Sequence, residues 1–329
     1  MVPDASFTSY YGRPVVKAAP WSNDIPAYLF LGGLAGGSSL LAAGADVMHN
    51  DELRRAARLT ALGAIGGSYL ALVHDLGRPS RFFNMLRVAK PTSPMSMGTW
   101  IITAYGPAAV LAAASEFTGM IPPGRLSRLV SFANRPAGIA AAMIAPVLSS
   151  YTAVLLSDTS TPAWNHGFKE MPFVFVGSSA TAAGGMAMIA SSVHNAAPAR
   201  RLAIGGALTE LLAIEKMKAS MGVVSETLDL GTAGKLIRLS QFLTIFGALG
   251  SIVFGRKSRA VSLVSGLALV LGSACTKFGV FEAGQSSARD PKYTVAPQKK
   301  SLQDGATHAR PKTRWDVLRN PYHRQRSSR

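Results

Sequence analysis

The amino-acid sequence predicts an all-α integral membrane protein, a bundle of about eight transmembrane helices in two four-helix halves. Three observations predict it. Hydrophobic residues fill 48% of the 329 positions and charged residues only 16%, where an ordinary soluble domain carries roughly 25% charged residues. The apolar residues gather into blocks of roughly 18 to 24, the length that crosses about 30 Å of hydrocarbon at ~1.5 Å per residue. Charges, prolines and polar residues collect between the blocks, as helical hairpins in series require.

Taken in order, residues 1–25 read as an N-terminal interfacial segment. It contains Asp4, Arg13, Lys17 and Pro20 and lacks the apolar centre of a cleavable signal peptide, so the first membrane helix acts as its own targeting signal. An eight-helix membrane domain over 26–284 follows, with spans expected at 26–48, 57–75, 97–116, 136–157, 171–192, 202–221, 236–255 and 259–280. The breaks between them hold Asn50-Asp51-Glu52, Arg78-Pro79 through Pro94, Ile121-Pro122-Pro123-Gly124 and Thr161-Pro162. Glycines four apart, Gly32 with Gly36, Gly33 with Gly37 and Gly63 with Gly67, let helix backbones approach closely where lipid supplies no hydrophobic drive for association.

Residues 285–329 form a basic tail with eleven of the 34 Lys and Arg residues and three acidic ones. The net charge of +17 therefore reads as a solvated extension near anionic lipid or a partner, with no nucleic-acid partner. Eight spans place both termini on one face. The tail assigns that face to the cytoplasm through the positive-inside tendency, in a multi-pass protein of the cytoplasmic (inner) membrane. Cys275 is the only cysteine, so no iron–sulfur cluster can be held within this chain. None of the six histidines sits in the middle of a span, which argues against a bis-histidine haem. No phosphate-cradling, zinc-protease or serine-triad motif is present, and no catalytic residue or metal site is assigned.

Ionisable residues inside a membrane are costly and are functional candidates for that reason. Asp46 lies near the end of the first span, three residues before His49, and Glu210 falls close to the middle of the sixth. Both are candidates for proton transfer. Glu210 reads equally as a relay carboxyl or as a structural hydrogen bond between helices. A second concentration is His74-Asp75-Leu76-Gly77-Arg78-Pro79-Ser80-Arg81-Phe82, where arginines oriented by Asp75 would suit a quinone head group or an interfacial cap that snorkels into head groups. Trp21, Asn23, Asp24, Pro26 and Tyr28, with Pro162, Trp164, Asn165 and His166, converge on the same face. The interfacial aromatic belt explains each of them singly.

Several segments together resemble the membrane subunit of polysulfide reductase and its relatives, the NrfD-like family. They are Ile25-Pro26-Ala27-Tyr28-Leu29-Phe30-Leu31-Gly32-Gly33-Leu34-Ala35-Gly36-Gly37, Asp75-Leu76-Gly77-Arg78-Pro79 with Arg81 and Phe82, and Ser93-Pro94-Met95-Ser96-Met97-Gly98-Thr99-Trp100. Tyr151-Thr152 through Pro162-Ala163-Trp164 and Phe278 to Tyr293 complete the set, over about residues 20–295. The resemblance implies a haem-free eight-helix subunit that binds a quinone; menaquinone is the quinone expected, a choice the sequence itself does not make. The quinone would lie close to a docked four-cluster iron–sulfur subunit serving a molybdopterin or tungstopterin catalytic subunit. It also implies Tyr28, Asp75, Arg78 and Arg81 as quinone-pocket or docking residues. The competing readings are a transporter with Asp46, Glu210 and Gln241 along a path, and a structural anchor without quinone chemistry.

Overall fold

The computed structural model describes residues 14–307 apart from Pro79, Ile121 and Arg256, with the side chains of Leu126 and of 300–307 left out of the description. The part of the expected interfacial segment before residue 14, Pro79 of the expected break, and the tail beyond 307 lie outside the described residues. The helices are α1 (Asp24–Val47), α2 (Asp51–Asp75), α3 (Arg81–Met85), α4 (Pro94–Ala114), α5 (Arg125–Ser157) and α6 (Pro162–His166). They continue with α7 (Met171–Ala190), α8 (Ala197–Ser220), α9 (Gly231–Val253), α10 (Arg259–Arg289) and α11 (Lys292–Thr307). No strand forms among the described residues.

Seven of these helices are long and apolar enough to cross a membrane, making the chain a multi-pass membrane protein. The eighth long helix, α8, has 24 residues but falls outside that set. Arg200, Arg201, Glu210, Glu215, Lys216 and Lys218 interrupt its hydropathy. Several helices start earlier than their apolar blocks, because polar residues begin a helix before lipid surrounds it. Asn50 caps α2 by accepting from Leu53 N at 3.1 Å, with Asp51 and Glu52 in the first turn, where carboxylates favour the helix dipole. Pro136 lies within the 33-residue α5 rather than before it. Neighbouring helices let a membrane helix tolerate proline.

The chain passes back and forth so that both the segment before α1 and the end of α10 lie on one face, where Gln285 Nε2 donates to Ala19 O at 2.9 Å. We call this the terminal face. Two halves follow one plan: α1 packs on α2 and α5, and α4 on α5; α7 packs on α8 and α10, and α9 on α10. The two inner helices, α1 and α7, meet at the centre.

Glycines make that centre possible. A Cβ on Gly37 would lie 2.6 Å from Ser179 O, and one on Gly36 would lie 3.0 Å from Ala145 O. Within the second half, Gly177 and Gly206 sit against each other's backbones, as do Gly185 and Gly266. The packing expected of Gly33, Gly36 and Gly37 is thus realised. Gly63 differs, since nothing lies within 4 Å of its would-be Cβ; that glycine faces open space.

Candidate functional site

The sequence-derived candidates fall at three places. On the terminal face, Trp164 is 1% exposed and its indole N–H donates to Val280 O at 2.9 Å. Trp21 stacks on it at 5.7 Å and Phe281 packs at 5.5 Å. These aromatics therefore form one buried cluster that joins the entry to α1, α6 and α10. Gly284 leaves the space, because any Cβ there would collide with the Trp164 ring.

Beside that cluster, Asp75 accepts from Ser22 N at 3.3 Å and Ser22 Oγ at 2.9 Å. Asp24 Oδ2 accepts from Ser22 Oγ and lies 2.8 Å from His74 Nδ1. The chain leaves α2 through Gly77 in the left-handed region at φ 68, a conformation glycine adopts without Cβ cost. Arg78 and Arg81 beyond it are exposed, and Arg81 Nη1 donates to Leu76 O at 3.3 Å. Tyr28 is buried one turn into α1, where its carbonyl accepts from Ser68 Oγ at 3.3 Å. Tyr69 donates to Ile102 O at 2.7 Å, with Phe82 edge-on at 6.1 Å.

A cavity of about 270 Å³ adjoins α3, lined by Met85, Val88, Lys90, Met95, Ser96 and Thr99. Its walls are mostly apolar with one lysine, and its volume lies a little under the usual small-molecule range of about 300–1,000 Å³.

The opposite face holds a charge network, and Asp46 belongs there. Arg54 Nη1 donates to Asp46 at 3.3 Å, and Arg135 Nε approaches it at 3.9 Å. Glu116 receives Arg54 Nε and Arg58 Nη1, each at 2.9 Å. Arg58, 3% exposed, also donates to Ser115 Oγ at 3.0 Å and Asn134 Oδ1 at 2.5 Å. A helix-length therefore separates Asp46 from Asp75.

The third place is the middle of the second half. Glu210 is 1% exposed and accepts from Thr276 Oγ1 at 2.5 Å, while its Oε2 has no hydrogen-bond partner among the described residues. Thr276 also meets Ser240 at 2.5 Å. Lys277, on the next residue of α10, interacts electrostatically with Glu210. Its ammonium donates to Phe175 O at 3.1 Å and lies 3.5 Å from the Phe175 ring centre, a cation–π distance. Glu210 is ten residues from the end of α8, about 15 Å below the terminal face at ~1.5 Å per residue. The sequence reading missed Lys277. The signal was there: a lysine inside the expected span 259–280, found by the same rule that selected Glu210. Gln241 instead donates to Glu215 at 2.9 Å at an exposed position, away from Asp46.

Residues 15–287 match the family model described as Polysulphide reductase, NrfD. A curated relative, the C subunit of the polysulfide reductase of Wolinella succinogenes, is 30% identical over 180 residues, which span 50% of this protein and 57% of the relative.

Proposed function

Given that the chain belongs to the NrfD polysulfide reductase family, we propose that it is the quinone-binding membrane subunit of a multi-subunit oxidoreductase. In this reading it exchanges electrons between the quinone pool, menaquinone by preference, and a four-cluster iron–sulfur subunit of a molybdopterin or tungstopterin enzyme. The observation that carries it is the terminal face: an apolar cavity beside α3 with Lys90 in its wall, the exposed Arg78 and Arg81 leading into that helix, on a surface pinned by the Trp21–Trp164 stack. When bound, the quinone supplies two-electron, two-proton redox chemistry. Arg78, Arg81 and Lys90 act as donors that orient a carbonyl oxygen, since guanidinium and ammonium groups offer only donors. Asp75, held by Ser22, fixes the loop that carries the arginines. The Met and Val walls exclude water from the ring. At mid-bundle, Glu210 Oε2 is free to hold a proton and pass it towards Thr276 and Ser240.

The closing experiment substitutes Arg81→Gln and Lys90→Gln, purifies the native complex and measures quinone turnover per assembled complex. A fall of about tenfold or more in each, the loss of roughly one charged hydrogen bond, with the iron–sulfur and pterin subunits still co-purifying, supports quinone contact. Loss of assembly with unchanged turnover per complex identifies a structural anchor instead. We further propose that the membrane is the cytoplasmic one, with both termini and the partner subunits on its cytoplasmic side, as in a formate-dehydrogenase-like assembly. An iron–sulfur subunit digested by protease only from outside the cell removes that placement. The repeated four-helix plan is the one feature that favours a transporter. Purification of a homo-oligomer free of redox proteins and quinone would select it.

A further inference from the structure

We propose that the cavity between α1, α2 and α5 on the face opposite the termini binds the phosphate group of an anionic membrane phospholipid. The cavity measures about 370 Å³, and its walls include Asp46, Val47, His49, Arg58, Arg135 and Gly138. Two observations mark it as built rather than incidental.

The first is Arg58. Its hydrogen bonds to Ala112, Ser115, Glu116 and Asn134 all come from Nη1. Nε has no partner among the described residues. Nη2 lies against Gly138, where a Cβ would sit only 2.9 Å from it. A buried guanidinium that lines the cavity thus keeps part of its donor capacity unused, and a glycine leaves room beside Nη2. Leaving such a donor unpaired is costly, and phosphate oxygens are acceptors that match an arginine fork.

The second is His49. It ends α1 at φ 53 and is the only non-glycine residue at positive φ among the described residues. Around it, His49 N donates to Asp46 O at 3.2 Å and Asn50 N to Ala45 O at 2.9 Å. This is the helix-ending pattern in which glycine ordinarily takes the left-handed position. The chain places an imidazole at a point where the backbone favours no side chain, and that imidazole lines the cavity.

Charge and surroundings select the ligand. Asp46 is compensated by Arg54 and Arg135, and Glu116 by Arg54 and Arg58. Asp51 also pairs with Arg54, from an exposed position. The three guanidiniums of the cluster face three carboxylates, and the positive surplus for an anion comes from the exposed Arg55, Arg125 and Arg128 near the same ends of α2 and α5. On the outer flank, Val47 is 80% exposed, Ile139 57% and Met143 74%. These residues run from the cavity along α1 and α5 towards the bilayer core, where acyl chains would cover them. A free phosphate ion would use the same donors and leave that flank bare.

The test places the native complex in nanodiscs containing phosphatidylglycerol and phosphatidylcholine with identical chains and counts retained lipid by native mass spectrometry. Wild type should hold phosphatidylglycerol at least about fivefold over phosphatidylcholine, the effect of one basic contact to an anionic lipid. Arg135→Gln and His49→Gly should each reduce that ratio towards one. His49→Gly should do so without lowering the melting temperature, which a merely structural histidine would not allow, and it serves alone if Arg135→Gln does not assemble. Equal retention of the two lipids by wild type overturns the proposal, as does an unchanged ratio in His49→Gly. Inorganic phosphate binding at this site without phosphatidylglycerol retention also overturns it, in favour of a free-anion site.

Discussion

Tyr105 makes the mid-bundle polar contact of the first half, its hydroxyl 2.6 Å from Ser39 Oγ and 2.7 Å from Ala35 O. Inside the second half lie a carboxyl and an amine, Glu210 and Lys277, bound to Thr276 and to the Phe175 carbonyl. The helices around both sites pack by the same plan. A small-residue seam can be repeated because it needs only the absence of side chains. A neutral hydroxyl satisfied by a carbonyl costs little in hydrocarbon, whereas ionisable groups at that depth are expensive and persist where they serve chemistry. The repeat therefore carries the scaffold, and the difference between halves marks the position to which the proposed function assigns proton handling.

Four substitutions break or sharpen that comparison. Lys277→Met strips the Phe175 carbonyl of its donor and Glu210 of its electrostatic neighbour and should cost about 3 kcal/mol, the upper end for leaving buried polar groups unsatisfied. The measurement is the detergent-solubilised melting temperature, and adding Glu210→Gln should recover the part of the loss that comes from Glu210. Equal stability of Lys277→Met and wild type would mean the two groups do not support each other. Next, Gly37→Val forces a side chain against the Ser179 carbonyl and should cost about 1–3 kcal/mol through overpacking, read as separation of the halves in urea or heat. Tyr105→Phe removes a neutral hydrogen bond and should cost only about 1 kcal/mol, with no change in proton-coupled turnover. The smallest effect has the opposite sign. Gly63→Ala meets open space and should stabilise by roughly 0.5–1 kcal/mol, the usual gain of alanine over glycine in a helix.

Much of this was legible in the sequence, for identifiable reasons. Hydrophobic block length located the membrane helices, and interfacial tryptophans announced the terminal face before Trp21 and Trp164 were seen to stack. Block length does not register helix ends, which depend on single caps such as Asn50, so α2 and α5 begin earlier than their apolar cores. Glu210 stood out because its neighbours are apolar. Lys277 lay near the expected end of its span, where a lysine is ordinarily a snorkelling flank, but α10 runs on to Arg289 and draws it inside. Arg58 was hidden for a related reason: it is the second residue of the expected span 57–75, where an arginine can snorkel to the interface, and only the approach of Glu116 and Asn134 from distant segments buries it. Asp46 was visible as an acid near a helix end, but the arginines gathered around it come from α2 and α5, and such long-range pairings leave no local mark.

The contact between Gln285 and Ala19, with the Trp21 ring lying on Trp164 beneath Gly284, also sets an order of events during biosynthesis. Translation delivers the segment preceding α1 before α1 to α9, and its binding partner on α10 only after them. While those helices are made, that segment waits at the membrane surface with its tryptophan uncovered. The clasp closes only after α10 has been inserted. Closure therefore reports that every intervening helix has been delivered, and in the proposed complex a partner that docks on the closed terminal face would engage chains carrying α10 in preference to ones cut short of it.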